Sequence, residues 1–125
     1  MPGDTPHFPG RPLIDAYGNG GFRFADMSHR GSILILPSGV YAWNVARFGD
    51  LDEAHLAPIL AEAEAIEILL IGSGNLPAVL AEPLKAKLRA QGIGTEVMDT
   101  GAAARTYNVL LAENRAVAAA LIAVD

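Results

Sequence analysis

The run IEILLI, Ile66 to Ile71, limits what this chain can fold into more than any other stretch. Only Glu67 interrupts it, so neither face of a strand built from it can look at water. Strands of this kind belong to parallel sheets covered by helices on both sides. Gly72-Ser73-Gly74-Asn75 ends the run. Leu76, Leu80, Leu84 and Leu88 then recur every four residues, a helical stripe. Pro77 suits a first turn, whereas Pro83 interrupts the stripe. The expectation is a short turn, then a separate helix from Pro83 to Ala90 stopped by Gly92. Thr95 to Met98 reads as a strand, Thr100 to about Glu113 as a helix, and Ala116 to Val124 as a last strand. The alanines of that last segment leave a helical alternative open. Strand, helix, strand, helix, strand implies parallel pairing through right-handed crossovers.

The first half has a different texture. Leu13 to Tyr17 and Phe22 to Ala25 flank Gly18-Asn19-Gly20-Gly21, a turn rich in residues that accept positive φ. Arg30 to Leu36 reads as one strand, Pro37-Ser38-Gly39 as a turn, and Val40 to Val45 as a strand with Tyr41 and Trp43 on one face. Asp50 or Asp52 can cap a helix running to about Ala63, with Leu56, Ile59 and Leu60 on its apolar stripe. The fold expected is α/β: a single domain over residues 13–125, a mixed central sheet with packed helices, and an N-terminal antiparallel meander adding strands. Residues 1–12 carry four of the eight prolines and read as an irregular arm.

Charge and composition exclude several classes. Fourteen acids stand against nine bases, and no basic stripe suited to tracking nucleic acid is visible. There is no cysteine, which removes disulfides, thiolate metal sites and cysteine nucleophiles together. The longest apolar run, Ala116 to Val124, is far short of the roughly 20 residues of a membrane helix. The N-terminus has neither a secretory h-region nor the look of a mitochondrial presequence, so a cytoplasmic protein is expected. His7, His29 and His55 lack metal-ligand spacing, and no cofactor motif is present.

Parallel strands over 66–71 and 95–98 send Gly72-Ser73-Gly74-Asn75 and Asp99-Thr100-Gly101 off the same sheet edge, each into a helix start. Ligands of open α/β sheets bind at that edge. A glycine loop there can present N–H groups to an anion, but this one lacks the lysine of a P-loop and the third glycine of a dinucleotide fingerprint. A tight turn is the plainer reading. Asp99 or Thr100 can cap the following helix, and a lone Asp-Thr-Gly cannot supply the two carboxylates of an aspartic protease. On the helix, Ala103, Tyr107 and Leu110 share a core face. Arg105 can pair with Asp99 or Glu96, and Asn108 can bond backbone across a helix–strand contact. The candidate ligand residues are thus Gly72, Ser73, Gly74, Asn75, Asp99, Thr100, Gly101 and Arg105.

The run GIGTEVMDTGAAARTYNVLLAENRAVAAALIAV, Gly92 to Val124, resembles the C-terminal part of a family of small single-domain proteins. That family includes the mitochondrial NADH dehydrogenase (complex I) assembly factor three and archaeal and bacterial relatives of unknown function. LLIGSGN, Leu69 to Asn75, and SGVYAWNV, Ser38 to Val45, extend the resemblance. It implies a compact α/β fold, no established catalytic activity, and work through protein contacts. The function expected is a non-catalytic interaction or assembly protein. By the resemblance its expected partner is a protein of respiratory complex I assembly, its candidate contact patch is Tyr41, Trp43 and Phe48, and a homo-oligomer stays open. The alternative is a small-molecule or anion-binding domain using the loops at 72–75 and 99–101.

Overall fold

Side-chain alternation along three apolar strands sets the layers of the molecule. The computed structural model describes residues 6–125. Its strands are β1 (Phe8–Pro9), β2 (Ala16–Gly18), β3 (Gly21–Phe24), β4 (Met27–Arg30), β5 (Ile33–Leu36), β6 (Gly39–Ala42), β7 (Ile68–Gly72), β8 (Gly94–Met98) and β9 (Val117–Leu121). Its α-helices are α1 (Glu53–Leu60), α2 (Glu82–Ala90) and α3 (Thr100–Ala112). Six strands form a mixed sheet in the order β1-β6-β5-β9-β7-β8, and β2-β3-β4 form a separate antiparallel sheet. β9 runs parallel to β7 and antiparallel to β5, so it joins the two halves of the chain.

Successive residues on a strand point to opposite faces. Leu34, Leu36, Leu69, Ile71, Ala118 and Ala120 therefore face one way, into a core with Leu56 and Ile59 of α1 and Leu88 of α2. Ile33, Ile35, Leu70, Val117, Ala119 and Leu121 face the other way, against Ala103, Ala104 and Tyr107 of α3 and Phe22 and Phe24 of β3. The helices α2 and α3 thus lie on opposite faces. Crossovers of one hand require this when β8 and β9 flank β7 on opposite sides.

The α/β architecture, the parallel β7–β8 pair and the long C-terminal helix agree with the sequence. The last segment is a strand, because its alanines fill a slot closed on both faces. Three details differ. The expected strand Arg30–Leu36 is two strands in two sheets, since Gly31 at φ +92° turns the chain between them. The meander is divided as well: β2–β4 stack on the central sheet, and only β5 and β6 extend it. Residues 73–81 form no helix, so Leu76 leaves the leucine stripe and is exposed. Pro83 opens α2, as the expected separate helix from Pro83 to Ala90 requires, because first-turn N–H groups have no helical partner to lose. At the other end, part of the proline-rich arm is ordered on the sheet: β1 pairs with β6, and the His7 N–H donates to Val40 O at 2.7 Å. Residues 1–5 of that arm lie outside the described residues.

Asp52, not Asp50, caps α1, and His55 reciprocates by accepting the Asp52 N–H at 3.1 Å. Pro58 is accommodated within this helix.

Ala119 and Ala120 are wholly buried on opposite faces of β9. Replacing Ala120 with Leu is expected to destabilise the fold by about 1–3 kcal/mol through overpacking, read as a lower urea midpoint at unchanged m-value.

Candidate functional site

The two loops meet as the parallel geometry requires. The Thr100 N–H donates to Gly74 O at 2.8 Å, and the Gly74 N–H donates to Thr100 Oγ1 at 3.0 Å. Gly72 permits this approach, since a methyl group there would lie 2.9 Å from Thr100 Oγ1. Gly74, at φ +105°, supplies a left-handed turn that other residues resist.

This rim is filled by its own groups. Thr100 is fully buried, and its hydroxyl also donates to Ile122 O at 2.7 Å. The Ile122 N–H returns to Gly72 O at 3.0 Å. Ser73 Oγ donates to Leu76 O at 2.6 Å, and the Ser73 N–H reaches Met98 O at 2.9 Å. Asp99 Oδ1 accepts the Ala102 N–H at 2.9 Å, the N-cap bond expected of it. An anion seated here would have to displace bonds already made. Asn75 alone of the loop residues is exposed.

Arg105 does not join the rim. Its guanidinium donates to the Tyr17 hydroxyl at 3.2 Å, instead of pairing with Asp99 or Glu96. Tyr17 lies over Gly101, and a methyl group at that glycine would collide with the phenol oxygen. Arg105, Tyr17, Ile14 and Asn108 border a shallow groove of about 370 Å³ between α3 and the small sheet.

The polar residues of α3 hold the N-terminal segment. Asn108 makes both bonds that a neighbouring strand would make: the Ile14 N–H donates to its Oδ1 at 2.8 Å, and its Nδ2 donates to Ile14 O at 2.8 Å. Tyr107 donates its hydroxyl to Pro12 O at 2.7 Å. Arg11 Nη1 donates to Arg115 O and Val117 O at 3.2 and 3.1 Å. Burial pushes the Tyr107 phenol well above its ordinary value, with the nearby Arg11 opposing more weakly.

Tyr41 and Trp43 share a face, but that face is covered. They are 7% and 6% exposed, and Trp43 Nε1 donates to His55 O of α1 at 3.1 Å. Phe48 is half-buried against the same core. The expected contact patch at these aromatics is therefore absent, because α1 closes over it.

Arg115 pairs with Glu67, through contacts of 3.2 and 2.8 Å. The hydrogen bond from this guanidinium, and then its charge, hold the Glu67 carboxyl below its ordinary value.

These features define a class: a small mixed α/β domain whose carboxyl rim is closed by its own hydroxyls and backbone. The profile of a family described as a protein of unknown function (DUF498/DUF598) matches residues 14–122, and the chain belongs to that family. An uncharacterized protein of Rhodobacter capsulatus is 43% identical over 117 residues, which cover 94% of this chain and 89% of the relative. The mouse NADH dehydrogenase [ubiquinone] 1 alpha subcomplex assembly factor 3 is 35% identical over 115 residues, covering 92% of this chain and 62% of that protein. This chain therefore spans less than two thirds of the mouse relative. A crystal structure from Bartonella henselae, described as an outer membrane protein, superposes with a TM-score of 0.92 at 54% identity, covering 95% of this chain and all of that one. Among the described residues, no helix is long and apolar enough to cross a membrane.

Thr100→Val is expected to cost about 1–3 kcal/mol, since it orphans the buried Ile122 O and removes the partner of the part-buried Gly74 N–H; thermal and urea unfolding measure it. The Glu67 carboxyl is lowered on folding, so the stability it contributes is present above its unfolded value near 4.5 and is lost as pH falls through the folded value. In Glu67→Gln, the acid limb of a stability–pH curve is expected to flatten below that pH.

Proposed function

We propose that this protein is a non-catalytic interaction protein that assists assembly of a respiratory enzyme by docking a protein partner on the carboxyl rim of its sheet. The observation that carries the reading is the pair Leu76 and Val79, 75% and 85% exposed in a segment without helix or strand. They stand beside a rim whose polar groups are already paired. Large apolar side chains held in water next to a rigid platform suit a protein contact better than a small polar ligand. The assembly-factor name of the mouse relative supports the choice of partner class.

The alternative, an anion or small molecule on the loops at 72–75 and 99–101, gains no support from the closed hydrogen bonds there. Asp99 serves as a helix cap and Arg105 is turned to Tyr17, which leaves no assembled acid–base pair at this rim.

The test is capture of peripheral respiratory complex I subunits by the tagged chain in a bacterial host. Leu76→Asp with Val79→Asp is expected to cut capture at least about tenfold, a loss of about 1.4 kcal/mol, with the melting temperature unchanged. Equal capture by the double variant, or no complex I subunit captured by the parent chain, would overturn the reading.

A further inference from the structure

The outer face of the three-stranded sheet carries a feature unrelated to the rim. Cross-strand register places Ala16, Arg23 and Ser28 in one row and Gly18, Gly21 and Arg30 in the next row but one. Residues two apart on a strand share a face, so all six face the same way. That face is the one opposite Phe22 and Phe24, which are buried against the core. Arg23 and Arg30 are therefore diagonal neighbours, a relation that sets positions roughly 7–8 Å apart. Small side chains or none lie between them: Gly18, Gly21, Ala16 and Ser28 floor an open trough of about 490 Å³. Both arginines are exposed on an otherwise acidic chain of formal charge −5. Arg23 Nη1 donates to Ser28 Oγ at 2.8 Å, which orients the guanidinium along the floor. Among the described residues, no carboxylate pairs with either arginine, whereas Arg47, Lys87, Arg89 and Arg115 each have one.

We propose that this trough binds a phosphate group between Arg23 and Arg30. Two planar guanidinium forks on one face can each donate paired N–H bonds to a tetrahedral anion. Ser28 adds a hydroxyl, and Gly18, with nothing within 4 Å of where a Cβ would stand, leaves its end of the floor open. A carboxylate has too few oxygens to engage both forks bidentately, so a dianionic phosphate fits the pair better. A free phosphorylated metabolite and a phospholipid headgroup share this chemistry. The site lies on the three-stranded sheet, away from the irregular segment that carries Leu76 and Val79, and does not depend on the assembly reading.

The test begins with inorganic phosphate titrated into the isotopically labelled full chain, amide shifts being followed against sodium chloride at matched ionic strength. Shifts centred on Gly21 and Ser28 are expected with phosphate only. Arg23→Gln with Arg30→Gln is expected to weaken the response at least about tenfold. Both positions are exposed, so the variant's melting curve should match the parent. A second arm measures co-sedimentation with phosphatidic acid vesicles against phosphatidylcholine vesicles. Sedimentation lost in the double variant assigns the phosphate to a lipid headgroup; a response to free phosphate without sedimentation assigns it to a soluble ligand. Shifts equal in chloride, or unchanged in the folded double variant, would overturn the site.

Discussion

The sheet closes only because β9 can lie between β5 and β7 while both of its faces are packed. β7 and β8 come from the crossover half of the chain, and β5 and β6 from the hairpin half. β9 bonds to both halves, parallel on one side and antiparallel on the other. Its three central alanines let α3 and Phe22 and Phe24 approach from one side while α1 and α2 approach from the other. Close packing makes that slot intolerant of added volume. The position of α3 follows from the slot, and the rim follows from α3.

Thr100 converts that placement into a closed edge. It sits at the first position of α3, where backbone N–H groups have no helical partner. Its own N–H finds Gly74, and its hydroxyl bridges Gly74 to Ile122. The ends of β7 and β9 and the start of α3 are thereby tied through one buried side chain. In many open α/β sheets this location is left for a ligand. Here the protein's own groups occupy it, and the exposed apolar residues stand just outside.

The parts legible in the sequence are those governed by local pattern. IEILLI had to be covered on both faces, and Asp99 or Thr100 could cap a helix. The meeting of the two glycine-bearing loops followed from parallel strand order alone. What stayed hidden depends on partners far along the chain. The split at Gly31 is invisible locally, because Met27 to Arg30 lacks an apolar pattern and Ile33 to Leu36 dominates its neighbourhood. Tyr41 and Trp43 alternate as strand residues should, but alternation does not say which face α1 will cover. Arg105 has carboxylates nearby at Glu96 and Asp99, yet it reaches a tyrosine 88 residues away. Asn108 was readable as a backbone-binding residue, but its target at Ile14 was not. The trough at Arg23 and Arg30 needed the register of β3 and β4, and the sequence offered no strand at Met27.

The location of β9 in the chain has a consequence for biosynthesis. Residues 117–121 leave the ribosome after every other strand described, yet they occupy a central place in the sheet. Until they emerge, the hairpin half and the crossover half expose the apolar edges of β5 and β7 with nothing between them. Arg11, Pro12 and Ile14 must likewise wait for anchors near residues 107–117. The sheet of this domain is therefore completed only after residues 117–121 have emerged.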